Sequence, residues 1–268
     1  MVRKTNDFSK EQLIVFKNLY LSKNYKCGVS LEKINTICVK LLQLGYNKEQ
    51  VFKMVSRNLK IFTINSCNID KKIQFLIGVG FKKSDVKKMV YYNPRIFNYS
   101  IISMKKKIDT IISFGYSFSD VIKMMKIEQS IFGYSVSYLK NRFNYIIELG
   151  YDYEETLKIM KVCPNLFTYS IDNIKRKLEL FSDINLVDVV KKRPKILMQS
   201  CALTYARYSC LKDMEIVVDS DNYAILFEVR SRFEKRSGIK NEDLLMLYNY
   251  EEYYNNKHNM QLMVRRKK

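Results

Sequence analysis

Four glycines, Gly45, Gly80, Gly115 and Gly150, stand 35 residues apart. Each sits in the same short phrase: Leu44-Gly45-Tyr46, Val79-Gly80-Phe81, Phe114-Gly115-Tyr116 and Leu149-Gly150-Tyr151. A fixed period in this range means one supersecondary unit stacked on copies of itself. It directs the search for function to an extended surface rather than an enclosed catalytic pocket.

Other positions keep the register. An Ile-Phe-like pair recurs at Ile61-Phe62, Ile96-Phe97, Ile131-Phe132 and Leu166-Phe167, and a Tyr-Ser step at Tyr99-Ser100, Tyr134-Ser135 and Tyr169-Ser170. Pro94 and Pro164 stand three residues before the Phe of their pairs, a slot that Leu59 and Gln129 fill in the other copies. An apolar residue recurs at Ile73, Ile108, Phe143 and Leu178. A shorter fifth copy, Pro194-Lys195-Ile196-Leu197 followed by Gln199-Ser200, lies 30 residues after Pro164. That spacing predicts a loss of about five residues around Asp183-Ile184 from the repeat period.

Each unit holds two helical patterns. The first helix follows the Gly-aromatic step. Asn47, Ser117 and Asp152 cap it, with Gln50, Asp120 and Glu155 three positions on, as in a capping box. Lys82 makes a weaker start in the second copy. Val51, Met54 and Val55, with Val86, Met89, Val90 and Val121, Met124, Met125, recur at helical spacing. Pro94 and Pro164 lie just beyond two of these helices, where proline stops a helix. The second helix starts at Ser100, Ser135 or Ser170. It carries a stripe such as Met104, Ile108, Ile111 and Ile112, and ends at the next glycine, a natural C-cap. The expected fold is therefore all-α, a helical-repeat solenoid. The Gly, Phe and Met positions turn the chain and fill the seam between units, and they require no cofactor.

Composition narrows the function. The 268 residues carry a formal net charge of +20, and 47% are hydrophobic, enough for a real core. No apolar run approaches the roughly 20 residues of a membrane span. The six cysteines, Cys27, Cys38, Cys67, Cys163, Cys201 and Cys210, form no C-x-x-C pair, so they read as reduced residues in or near the core rather than metal ligands. The single histidine, His258, lies in a polar stretch, which leaves zinc or His-based catalysis little to work with. Asp120, Glu154 and Glu155 are accounted for as helix caps and first-turn charges. No nucleophile–base pair or phosphate loop is visible, and the chain reads as a non-enzyme with no small-molecule substrate. The first ten residues lack an apolar stretch and do not read as a signal peptide. They also make a poor mitochondrial presequence, being short and carrying Asp7.

So basic a balance implies a polyanionic partner, most often nucleic acid. The charges keep the repeat register on the second helix: Lys71-Lys72, Lys106-Lys107, Asn141-Arg142 and Arg176-Lys177, with Arg207 continuing the second member. On a wheel of about 100° per residue with Ile108 at zero, Lys107 falls about 100° away, at the border of the apolar stripe. Lys106 falls about 160° away, on the open face. Stacked, Lys72, Lys107, Arg142, Lys177 and Arg207 are expected to form one solvent-reaching track for phosphates, whose contacts release counterions. Lys53, Lys88, Lys123 and Lys158 form a second column on the first helix and read as a solvated outer face. Arg57, Arg95 and Lys195, near the ends of the first helices, are auxiliary candidates. Tyr99, Tyr134 and Tyr169 could stack on unpaired bases, although their strict register favours packing.

The phrase Leu-Gly-Tyr/Phe, a capped helix ending in Lys-Met, then Asn93-Pro94-Arg95-Ile96-Phe97-Asn98-Tyr99-Ser100 and a basic second helix resembles the mitochondrial transcription termination factor (mTERF) repeat. Its best copy spans residues 79–112, and the resemblance covers about residues 30–215 of the repeat array. Leu244-Leu245-Met246-Leu247 with Glu251-Glu252-Tyr253-Tyr254 is similar to the family's closing segment. The resemblance implies a half-doughnut superhelix whose basic concave groove binds double-stranded DNA or, in some members, RNA. It implies organellar roles in transcription, including termination, or in RNA maturation and ribosome assembly, and a mitochondrial or other organellar setting; a bacterial member would be cytoplasmic. Members that read sequence do so with groove arginines. Here lysine fills most matching positions, with Arg142, Arg176 and Arg207 the exceptions. Lysine is a point charge, whereas arginine grips guanine in a bidentate way, so the departure favours backbone binding. The period also fits pentatricopeptide repeats, which read single-stranded RNA but carry a different Gly and Pro arrangement.

The ends complete the expectation. Residues 8–20 read as an amphipathic helix with Phe8, Leu13, Val15, Phe16 and Leu19 inward, and residues 31–44 match a second-type helix. Residues 1–43 then form a capping repeat, 44–215 the repeats, and 216–268 two closing helices (223–235 and 242–254) with a basic tail at Arg265-Arg266-Lys267-Lys268. The function expected is a monomeric, non-enzymatic binder of nucleic acid, with double-stranded DNA ahead of RNA and a protein-binding scaffold as the competing class.

Overall fold

A computed structural model describes residues 8–25 and 28–266, with side chains described as far as residue 260. Cys27, the first seven residues and the side chains of the basic tail lie outside the described residues. Helices α1 (Lys10–Leu21) and α2 (Leu31–Gln43) precede the first glycine. Each period then supplies a helix, a short 3-10 turn and a second helix. The first three periods are α3 (Lys48–Arg57), turn Leu59–Thr63, α4 (Ser66–Gly78); α5 (Lys83–Tyr92), turn Pro94–Asn98, α6 (Ile101–Ile112); and α7 (Phe118–Ile127), turn Gln129–Gly133, α8 (Val136–Glu148). The next two are α9 (Tyr153–Val162), turn Pro164–Phe167, α10 (Ile171–Asp183), and the short copy α11 (Val187–Lys192), turn Pro194–Met198, α12 (Cys201–Asp213). A turn at Tyr223–Phe227 leads to α13 (Arg230–Ser237), α14 (Asn241–Leu247) and α15 (Tyr250–Arg266). Among the described residues every regular element is helical.

Local chemistry explains the starts and stops. Asn47 and Asp152 form full capping boxes with Gln50 and Glu155, while Ser100, Ser117 and Ser170 accept from the N–H three residues on. Lys82 makes no side-chain cap. The four glycines close the second helices in the left-handed region, with φ of 86°, 108°, 94° and 91°. After Gly45 and Gly80 the next residue turns back onto the helix: Tyr46 N–H donates to the Leu41 carbonyl at 3.3 Å and Phe81 N–H to Leu76 at 3.1 Å, the pattern of a Schellman cap.

The same geometry continues where no glycine marks it. Asn185, one period after Gly150, has φ 55°, and Glu215 has φ 59°. Leu186 N–H bonds to the Phe181 carbonyl at 2.7 Å and Ile216 N–H to Leu211 at 2.8 Å. The expected loss at Asp183-Ile184 is therefore misplaced. Register holds through Asn185, and the missing residues come out of the first helix, α11, which has 6 residues against 10 in α9 and lacks a side-chain cap. Asn tolerates this backbone through its short polar side chain, which hid the beat from a count of glycines.

These turns give a clean stability test. Nothing lies within 4 Å of a Cβ built on Gly150, so Gly150→Ala should cost only the backbone strain, about 1–2 kcal/mol. The converse change, Glu215→Gly, should raise stability by about 1 kcal/mol. Urea unfolding followed by circular dichroism measures both.

The chain divides between Asn141 and Arg142 into two compact units. In the first, Phe62, Phe97 and Phe132 are fully buried at the turns, and Val51, Met54, Val55, Val86, Met89 and Val90 fill the seam between successive first helices. Neighbouring periods are also tied by polar contacts. Tyr46 Oη donates to the Lys87 carbonyl at 2.8 Å, while Lys87 Nζ donates to the Gly45 carbonyl at 2.7 Å. Asn58 Nδ2 donates to the Pro94 carbonyl at 3.0 Å. The second unit buries Phe143, Phe167, Leu197 and Phe233.

Three expectations are corrected. Helix α1 buries Leu13, Phe16 and Tyr20 but leaves Val15 and Leu19 exposed. Residues 242–254 fall in two helices, α14 and α15, rather than one. Residues 223–235 split into a 3-10 turn and α13, because the extended stretch at Glu228 and Val229 interrupts them.

Candidate nucleic-acid interface

The second-type helices α4, α6, α8, α10 and α12 carry the registered basic residues, and the structure sorts them into two groups. Lys107, Arg142, Lys177 and Arg207 are buried, at 8%, 8%, 5% and 3% exposure. The expected solvent-reaching track is therefore corrected for these four. The error lies in the wheel's centre. In α6 the buried side chains are Met104, Lys107, Ile108, Thr110 and Ile111. That arc centres on Met104 and Ile111, which puts Lys107 only about 50° from its middle. Thr110, polar but buried, extends the arc on the far side of Lys107.

The buried cations brace the following turn. Lys72, half-buried, donates to the Phe97 carbonyl, and Lys177 donates to that of Gln199. Arg142 Nε donates to the Tyr169 carbonyl at 2.7 Å. Tyr169 and Gln199 hold the same place in the repeat, just after the 3-10 turn. Lys107 instead donates to Ser103 Oγ one turn back in α6. Arg207 spans three acceptors: the carbonyls of Leu226 at 3.0 Å and Glu228 at 2.7 Å, and Asn241 Oδ1 at 3.3 Å. Its guanidinium also lies 4.4 Å from the Phe233 ring centroid. Carbonyls at the end of a short helix lack intrahelical donors, and a long cationic side chain can bury its stem while its head supplies them. Burial pushes the pKa values of Lys72, Lys107, Lys177 and Arg207 down.

Arg176 is also engaged. It pairs with Asp172 at 2.9 Å and Glu251 at 2.7 Å, and lies 4.3 Å from the Tyr254 ring centroid. The Glu251 hydrogen bond raises its pKa. Lys257 and Tyr253 both donate to Asp183, at 2.5 and 2.6 Å. The closing acidic-aromatic segment thus docks α15 on α10 and engages Arg176 within the fold.

The remaining candidates face solvent. Lys71, Lys106, Arg95 and Lys195 are exposed. Two more exposed lysines of the first unit, Lys105 and Lys140, share a register position that the pairwise reading passed over, and Lys175 continues it in the second unit. The 35-residue spacing was the available signal. Among the described residues, the ammonium groups of Lys71, Lys105, Lys106 and Lys140 make no hydrogen bond or ion pair, whereas Lys175 stands 3.7 Å from Glu179. The first unit thus carries four uncompensated cations on its second-type helices. The first-helix column is exposed as well, with Lys53 paired to Glu49 at 2.6 Å. Between first helices, Asp85 pairs with Lys126 at 2.8 Å and Glu155 with Lys191 at 3.7 Å. Among the described residues no three His, Cys, Asp or Glu side chains converge as metal ligands, and no helix is long and apolar enough to cross a membrane.

A family model described as mTERF matches residues 12–233. No curated protein sequence matches the chain.

Proposed function

Because the chain belongs to the mTERF family of nucleic-acid-binding helical-repeat proteins, we propose that it binds double-stranded DNA through phosphate contacts and thereby regulates or terminates transcription, without catalysing a reaction. The observation that carries this reading is the set of exposed, unpaired lysines kept in repeat register, Lys71 with Lys106 and Lys105 with Lys140. Phosphates repeat along a duplex, and a repeating row of cations answers them with affinity that needs no base readout. Lys195 and Arg95 are secondary contacts in this proposal. Lys72, Arg142, Lys177 and Arg207 act indirectly, by holding the turns that set the helices in place, while Lys107 is buried against Ser103 within α6. The abundance of lysine over arginine on the exposed face supports backbone contact rather than bidentate base recognition.

Sequencing the nucleic acid that copurifies with the chain, with a nuclease-treated control, tests the proposal. Enriched duplex DNA is the expected result. Recovery of RNA alone would replace DNA with RNA as the target, and a protein partner retained after nuclease treatment, with no nucleic acid, would favour a scaffold.

A further inference from the structure

Two 3-10 turns of the first unit, Pro94–Asn98 and Gln129–Gly133, border an open groove of about 740 Å³. Its walls include Arg57, Tyr92, Arg95, Tyr99, Gly133 and Tyr134. Arg57 is held in place: its Nη1 donates to the Tyr91 carbonyl at 3.0 Å, and its guanidinium lies 5.4 Å from the Tyr91 ring centroid. Arg95 follows Pro94 in the first turn and is exposed, with no hydrogen bond or ion pair among the described residues. Tyr92 is 64% exposed and stands edge-on to Tyr91, with ring centroids 5.0 Å apart.

Gly133 makes room for the third wall. A Cβ there would stand 2.6 Å from Tyr99 Oη. Thr63, Asn98 and Thr168 hold the same register position in the other periods, so this period alone among the four clears the space that the Tyr99 phenol fills. Glu128 also lines the groove, but its Oε1 accepts from the Ser130 N–H at 3.0 Å and from the Ser130 hydroxyl. That carboxylate oxygen is turned into the 3-10 segment. Phosphate contact alone would require no aromatic wall. Tyrosine faces beside arginines supply a stacking surface for a base and a cation for its phosphate.

We propose that this groove holds one unpaired nucleotide of a single-stranded nucleic acid, its base against Tyr92 and Tyr99 and its phosphate on Arg95. The proposal rests on the nucleic-acid reading above and adds a single-strand mode to it, as suits a protein acting where transcription opens a duplex.

The test compares the full chain's affinity for a thymidine oligonucleotide of roughly a dozen residues with its affinity for a blunt duplex. Tyr92→Ala should weaken the oligonucleotide about tenfold and the duplex less than about twofold, since stacking serves unpaired bases. Tyr92→Phe should keep the oligonucleotide affinity. Arg95→Gln, and Gly133→Ala through the displaced Tyr99, should each weaken the oligonucleotide several-fold. Tyr92 and Arg95 are exposed, so thermal unfolding should be unchanged in their variants. Unaltered oligonucleotide binding by Tyr92→Ala, or equal losses on both ligands, would overturn the groove proposal and leave the duplex reading standing. A wild-type chain that binds neither ligand would overturn both.

Discussion

Replacing Arg207 with alanine should lower the stability of the fold by about 3 kcal/mol, because hydrogen bonds to a charged donor are strong and the carbonyls left behind are buried or half-buried. Arg207 ties α12 to the Leu226 and Glu228 carbonyls and to Asn241 at the start of α14. One guanidinium thus joins three segments of the second unit. Removing it leaves those acceptors without a donor and opens space beside Phe233. Arg207→Lys should recover only part of the loss, since one ammonium cannot reach all three acceptors in the geometry of a planar fork. Arg207→Met should fall between lysine and alanine, filling volume but donating nothing. Urea unfolding separates the three. An Arg207→Ala chain as stable as wild type would return this residue to the ligand-facing group.

Reversing the charge of Lys71, Lys106 and Lys140 together should weaken duplex DNA binding roughly a hundredfold at moderate salt, since each lost phosphate contact removes a counterion-release contribution. These side chains are exposed and unpaired, so thermal unfolding should shift little. The matching change at Lys53, Lys88 and Lys123 alters net charge equally on the first helices. It should weaken binding only several-fold, through the general field. A filter-binding or anisotropy titration of both triple variants separates local contact from overall charge. Reversal at Lys107, Arg142 and Lys177 would be uninformative about binding, because it places carboxylates where carbonyls or a serine hydroxyl now receive a cation.

Much of the fold is legible in residues alone. The glycines need a left-handed backbone that other residues resist, so their beat marks helix ends directly. The capping pairs Asn47–Gln50 and Asp152–Glu155 form the bonds that their spacing predicts. Short elements were harder. An Ile-Phe pair in a run of five residues has too little length to show a helical period, so the sequence assigns the 3-10 turns no element. Asn185 kept the beat without a glycine and shifted the apparent deletion.

The site was less legible than the fold, and for a specific reason. A registered lysine or arginine looks the same in sequence whether its head meets phosphate or a carbonyl of the next turn. The acceptors at Phe97, Tyr169, Gln199, Leu226 and Glu228 are backbone oxygens, which no residue type announces. Centring the wheel on Ile108 places Lys107 at the border of the buried arc rather than inside it. Arg176 was claimed by Glu251, far along the chain. What remained exposed, Lys71, Lys105, Lys106 and Lys140, obeys the same 35-residue beat as the glycines.

The most direct test of nucleic-acid binding by phosphate contact is the salt dependence of duplex affinity for the wild-type chain. A plot of log affinity against log salt should fall with a slope of about −3 to −4, as expected for three to four phosphate contacts. The slope should flatten by about 3 in the Lys71, Lys106 and Lys140 charge-reversal variant. Affinity independent of salt, or no binding to the duplex at low salt, would contradict it.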